Sequence, residues 1–123
     1  MRIEIPMKLP SLNDYVNVCR TNKYKAAKYK ADIEHLIGLY LMKMPKMDNP
    51  IRITFTWVES SKRRDLDNVC FAKKFILDAM VKTGKLKDDN RNHVTAFVDK
   101  FEYGKVNKVI LDIEEVKWWE KEF

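Results

Sequence analysis

The stretch that most constrains this chain is Ile51 to Val58, where Ile51, Ile53, Phe55 and Trp57 alternate with Arg52, Thr54, Thr56 and Val58. A period of two puts the first set on one face of a strand and the second on the other, so the segment calls for a sheet with a covered face. A helix would scatter the same apolar set, because successive residues turn by about 100°. The turn residues Asp48-Asn49-Pro50 precede the strand, and the polar run Glu59-Ser60-Ser61-Lys62-Arg63-Arg64 follows it.

Other elements fall into place around this strand. From Arg2 to Lys8, Ile3, Ile5 and Met7 alternate with Arg2, Glu4 and Pro6, which predicts another strand, with Pro6 at an edge or at its end. Pro10-Ser11-Leu12-Asn13 breaks it. A helix is predicted from Thr21 or Asn22, either a suitable N-cap, to about Met44 before Pro45, with Ala26, Tyr29, Ile33, Leu36, Ile37, Tyr40 and Met44 as its apolar stripe. A second helix is predicted from about Asp67, burying Val69, Ala72, Ile76, Ala79 and Met80 and ending at a left-handed Gly84, with Lys82 and Lys85 suited to its C-terminus. His93 to Tyr103 and Val106 to Val116 read as two strands joined at Gly104, the latter burying Val109, Leu111 and Ile113. Trp118 and Trp119 cannot both face one core from a regular strand, which assigns one of them to a subunit interface. The predicted order is β-α-β-α-β-β: an α/β (α+β) fold, one domain over residues 1–123, with a mixed sheet and two helices.

A chain of 123 residues suffices for one core. Its formal charge of +6 favours a polyanionic partner, nucleic acid or an anionic surface. The longest apolar run, Leu36 to Met42, is interrupted by Gly38 and is far shorter than the ~20 residues a spanning helix needs. Met1 to Pro10 reads as a strand rather than a secretory signal, so a cytoplasmic location is expected. Cys19 and Cys70 lack zinc-site or disulfide spacing, and His35 and His93 are isolated, so structural or solvent-exposed roles are expected of these residues.

The chemistry is concentrated between Lys62 and Asn90. Asp65 and Asp67 sit where strand gives way to helix, and Asp88 and Asp89 follow that helix. Hydrolysis of a phosphodiester requires an activated water and neutralisation of the charge growing on phosphate, and a hard cation held by carboxylates supplies both. Lys62, Arg63 and Arg64 beside the aspartates would attract a DNA backbone that the carboxylates alone would repel. A helix of ~16 residues spans roughly 24 Å, so the two acidic groups meet only if the loop after Gly84 folds back and the next strand pairs beside the one that delivers Asp65. The same residues have ordinary structural uses: Asp67 as an N-cap, Asp65 as a complement to the helix dipole, Asp88-Asp89-Asn90 as a turn. Lys74 lies seven residues after Asp67, nearly on the same helix face, where with Asp78 it could face the site and stabilise charge on phosphate. Lys23, Tyr24, Lys25, Lys28, Tyr29 and Lys30 form a basic cluster with interleaved tyrosines, suited to phosphate contact and partial stacking.

The run Arg63-Arg64-Asp65-Leu66-Asp67-Asn68, then Lys74, Asp78-Ala79, Gly84 and Asp88-Asp89, resembles the RusA family of phage and prophage Holliday junction resolvases. Pro10-Ser11-Leu12-Asn13-x-Tyr15 is similar to the family's N-terminal element, so the resemblance covers nearly the whole chain. It implies a RusA-like fold and a homodimer that makes paired, symmetric nicks in four-way DNA junctions during recombination, repair or phage DNA processing, using Mg²⁺, with Mn²⁺ as a substitute, and no small-molecule cofactor. It implies Asp65, Asp67 and Asp89 as metal-binding and catalytic carboxylates, Asp88 beside them at the metal, and Lys74 as the catalytic lysine. The expected DNA contacts are Lys62, Arg63, Arg64, Lys23, Lys25, Lys28 and Asn13. One departure stands out: the family's lysine comes four places after the second aspartate, a position held here by Phe71, so Lys74 aligns only across a three-residue insertion and Lys73 is its alternative. The rival readings are a nuclease of other branched DNA, a non-catalytic basic DNA-binding module, and a protein of anionic surfaces.

Overall fold

The alternating segment becomes the strand on which the rest is built. In the computed structural model, which describes residues 1–117, the order is β1 (Arg2–Ile5), α1 (Leu12–Thr21), α2 (Lys23–Tyr40), β2 (Ile51–Glu59), α3 (Leu66–Cys70), α4 (Lys73–Lys82), β3 (Val94–Tyr103) and β4 (Lys108–Glu115). The four strands form one mixed sheet in the order β1-β4-β2-β3, with β3 parallel to β2 and the other pairings antiparallel. The α/β (α+β) expectation therefore holds. The chain has four helical segments rather than two among the described residues, and Trp118 and Trp119 lie outside them.

Ile51, Ile53, Phe55 and Trp57 are buried, and they pack with Leu111 and Ile113 of β4 and with Ile37, Phe75, Ile76 and Met80 of the helices. Each such fully buried side chain contributes roughly 1.5–3 kcal/mol. The opposite face of the sheet carries polar pairs, including Arg2 with Asp112 at 2.8 Å and Lys108 with Glu4 at 3.3 Å.

The helix α1 was not anticipated, yet its start is written locally: the Ser11 hydroxyl accepts the Asp14 N–H at 3.1 Å and the Asp14 carboxylate accepts the Ser11 N–H at 2.9 Å, a reciprocal capping box. Asn22 is the predicted cap of α2, its side-chain oxygen accepting from Tyr24 N at 2.8 Å and Lys25 N at 3.3 Å. The predicted run to Met44 ends instead at Tyr40. Leu36 and Tyr40, expected in the apolar stripe, are exposed, while Glu34 is buried. The second predicted helix is split at Phe71-Ala72 into α3 and α4, where the Phe71 and Phe75 rings both meet Tyr15 of α1, with centroids at 5.8 and 5.5 Å. All five residues predicted as its buried face are buried.

The last two strands are joined near Gly104 but are not neighbours, because β2 lies between them. The connection crosses the end of β2: Gly104 N donates to Glu59 O at 3.0 Å, and Ser60 N donates to Asn107 Oδ1 at 2.8 Å. A Cβ on Gly104 would sit 2.7 Å from Val58 Cγ1, so any larger residue there would have to displace the Val58 side chain. In this position Leu111 faces Phe55 on one side and Ile3 on the other, so the apolar row of β4 is matched from both neighbours.

Candidate active site

The site begins where β2 hands over to α3. Asp65 is at the N-cap position of α3 with an extended backbone, φ −67° and ψ 152°, but its side chain makes no capping hydrogen bond. Asp67 falls in the first helical turn, so the N-cap position expected of Asp67 belongs to Asp65 instead. Both are exposed, and neither carboxylate has a hydrogen bond or ion pair among the described residues. Capping therefore does not account for them.

Of the three basic residues before them, Arg64 is turned inward. Its guanidinium donates to both Glu59 oxygens at 2.9 Å and to the Leu9 carbonyl at 3.1 Å, and lies 3.8 Å from Asp14. This clasp ties α1 to the end of β2, whereas Lys62 and Arg63 are exposed. The Lys62 ammonium stands over the Tyr103 ring, 5.3 Å from its centre.

The first turn of α4 carries both candidate lysines and sends them in different directions. Lys73 pairs with Asp99 of β3 and stands 4.1 Å from the Phe97 ring centre, while Trp57 Nε1 donates to the other Asp99 oxygen at 2.9 Å. Burial pushes the nearby Cys70 thiol up, and the negative charge of Asp99 adds to the shift while the Lys73 ammonium opposes it. Lys74 lies between Asp78 at 3.1 Å and Asp89 at 3.2 Å. Its hydrogen bond to Asp78 raises its pKa against burial, with Asp89 adding, so the ammonium stays charged.

Behind Lys74 the pairing continues. Lys30 of α2 reaches Asp78 at 2.9 Å and Glu34 at 2.8 Å, and Lys82 reaches the other Glu34 oxygen. The Glu34 oxygens are buried, and these lysines balance their charge by proximity although the contacts miss hydrogen-bond angles. Burial alone would raise the Asp78 carboxyl, but hydrogen bonds from Lys30 and Lys74 outweigh it and hold it below its ordinary value. The result is an alternating ladder, Lys82-Glu34-Lys30-Asp78-Lys74-Asp89, between α2, α4 and the loop that follows.

That loop makes the predicted return. Gly84 adopts the left-handed conformation, φ 73°, and Lys85 and Leu86 N–H groups close on the Met80 carbonyl at 2.9 and 3.1 Å. Asp88 is taken up by the turn, accepting from Asp89 N at 2.7 Å and Asn90 Nδ2 at 3.1 Å, whereas Asp89 reaches back to Lys74. The strand that follows pairs parallel beside β2, as the meeting of the two acidic groups required. Among the described residues, no three or more His, Cys, Asp or Glu side chains come together as a metal-holding group, so Asp65 and Asp67 are not gathered with Asp89 and Asp88 into one shell.

Lys23 and Lys25 are exposed in the first turn of α2, Lys28 is paired with Asp32 at 2.8 Å, and Asn13 is exposed on α1. Sequence reasoning missed Glu59, Asp99 and Glu34, and it set Lys30 in the basic cluster suited to phosphate contact, whereas Lys30 is paired with Glu34 and Asp78. Asp99 had a readable signal: it shares the strand parity of Phe97 and Phe101, an acid in an otherwise aromatic row. The partners of Lys30 and Glu34 come from α4, and no local pattern announces them. No protein-family model matches this chain, and no curated protein matches its sequence. No helix among the described residues is long and apolar enough to cross a membrane.

Proposed function

We propose that this chain is a Mg²⁺-dependent, structure-specific endodeoxyribonuclease that nicks four-way DNA junctions as a homodimer. The observation that carries this reading is that the carboxylates of Asp65 and Asp67 stand exposed with no partner among the described residues, while Asp89 is brought back by its loop to Lys74 in the first turn of α4. The donor types suit a hard cation, since all three are carboxylates, although they are not gathered into one shell among the described residues, and Mg²⁺ is commonly held by only one or two carboxylates with waters and substrate oxygens. When bound, the cation, Mg²⁺ or Mn²⁺, supplies an acidified water and charge neutralisation at the phosphate. Asp65 and Asp67 would hold it, with Asp89 completing the set. Lys74, fixed in its charged form by Asp78, would stabilise the negative charge that develops on the phosphate oxygens. Lys73 is tied to Asp99 and an aromatic ring, which leaves Lys74 as the lysine that accompanies Asp89. Lys62, Arg63, Lys23 and Lys25 supply unpaired positive charge for the backbone of the arms. Two copies related by a twofold axis would present one such site to each of two arms.

Cleavage of an end-labelled synthetic four-way junction, beside a linear duplex of the same sequence, with Mg²⁺ and with chelator, tests the proposal. Symmetric, metal-dependent nicks confined to the junction are expected. Tight binding without nicking in any divalent metal would favour a basic DNA-binding module instead, a reading that the dispersed carboxylates support.

A further inference from the structure

At the carboxyl ends of the parallel strands β2 and β3 lies a cleft of about 290 Å³ that the proposed chemistry does not use. Crevices at the carboxyl ends of parallel strands are favoured ligand sites in α/β sheets. Trp57 and Phe101 line it from the strands, Leu66 and Val69 from α3, and Tyr103 and Lys62 complete it. Trp57 and Val69 are buried, whereas Leu66 and Tyr103 keep 58% and 68% of their surface exposed, so two large apolar side chains border the cleft without internal cover. The cleft lies at the small end of the roughly 300–1,000 Å³ usual for ligand sites, which suits one planar ring system better than an extended molecule.

The charges on the lining are arranged for the same guest. Arg64 and Glu59 neutralise each other at 2.9 Å, leaving the Lys62 ammonium, held over Tyr103, as the unpaired cation among the described lining residues. A phosphate at Lys62 would place the base attached to it beside the Tyr103 ring. We propose that this cleft takes one unpaired nucleobase of a DNA strand, stacked on Tyr103, with the adjoining phosphate on Lys62. The inference rests on the reading of the chain as a branched-DNA enzyme: bases at a branch are the least costly to unstack, and stacking on an aromatic ring tolerates any base. It adds to that reading a means of sensing the branch beside the carboxylates, since Leu66 of the lining stands between Asp65 and Asp67.

The test compares a short single-stranded DNA carrying 2-aminopurine with the same strand made abasic at that position, binding to the wild-type protein and to Tyr103→Ala, Leu66→Ala and Lys62→Gln. These side chains are exposed, and the thermal unfolding of each variant checks its fold. The wild type is expected to shift 2-aminopurine fluorescence and to bind the abasic strand about tenfold more weakly, and Tyr103→Ala to lose both distinctions. Leu66→Ala should narrow the same difference, and Lys62→Gln should lower the salt slope by about one while keeping the preference for a base. Equal binding of the two strands by the wild type would overturn the proposal, as would displacement of the strand by free adenosine monophosphate at equal concentration, which would mark a mononucleotide site. Junction cleavage is scored separately: an enzyme that cuts junctions but ignores the missing base refutes the cleft alone, and one that prefers the base but cuts nothing refutes the nuclease alone.

Discussion

The charge ladder between α2 and α4 and the junction between β2 and α3 are built from the same residue types and treat charge in opposite ways. In the ladder each carboxylate has lysine neighbours, and Glu34, the most buried member, lies between two. At the junction Asp65 and Asp67 have no side-chain partner among the described residues and are open to solvent. Paired, part-buried charges fix geometry, since removing one member leaves its neighbour desolvated. Acids at a helix start with no internal partner gain only the modest support of the helix dipole and are free to meet something outside the chain. The ladder ends at Asp89, 3.2 Å from Lys74 in the first turn of α4.

The contrast can be broken most forcefully at the junction. Asp67→Asn is expected to lower metal-dependent junction cleavage by at least about a hundredfold while shifting stability by less than about 1 kcal/mol, measured by single-turnover cleavage and urea unfolding. Activity near wild type would return Asp67 to the role of an ordinary helix-start acid. The ladder should respond in the other way. Lys30→Met leaves Glu34 and Asp78 short of one cation, and a loss of roughly 2–4 kcal/mol is expected, seen as a fall in melting temperature of about 10 °C. A melting temperature within a degree or two of wild type would show that the ladder is not structural.

A finer test uses pH. The folded carboxyl of Asp78 lies below its ordinary value of 3.8, so its contribution to stability is present above that value and is lost as pH falls through the lower, folded value. The urea midpoint of the wild type should therefore drop more steeply below about pH 4 than that of Asp78→Asn, and parallel curves would refute the assignment. The smallest effect belongs to the lysines proposed to contact DNA. Neutralising Lys25 should reduce the slope of log binding constant against log salt by about 0.9, and neutralising Lys28 by less, since Asp32 already holds Lys28 at 2.8 Å. Equal slopes for the two variants would remove that distinction.

Local periodicity and turn chemistry determined much of the architecture: the face of β2, the buried rows of β4 and of the second helical region, the Asn22 cap and the left-handed Gly84. These are readable because each depends on residues a few places apart. The Ser11-Asp14 capping box was equally local and would have revealed α1. The sequence also offered Lys62 to Asn90 as the candidate site, because acid next to base at a strand-to-helix junction is visible in one dimension. Only the tertiary structure decided the rest. It inserted β2 between the last two strands, turned Arg64 inward to Glu59, sent Lys73 to Asp99 and Lys74 to Asp89, and buried Glu34 between lysines from two helices. The physical reason is distance along the chain: a charge finds its partner through packing that joins residues tens of positions apart, and nothing in the neighbouring sequence records which partner that will be.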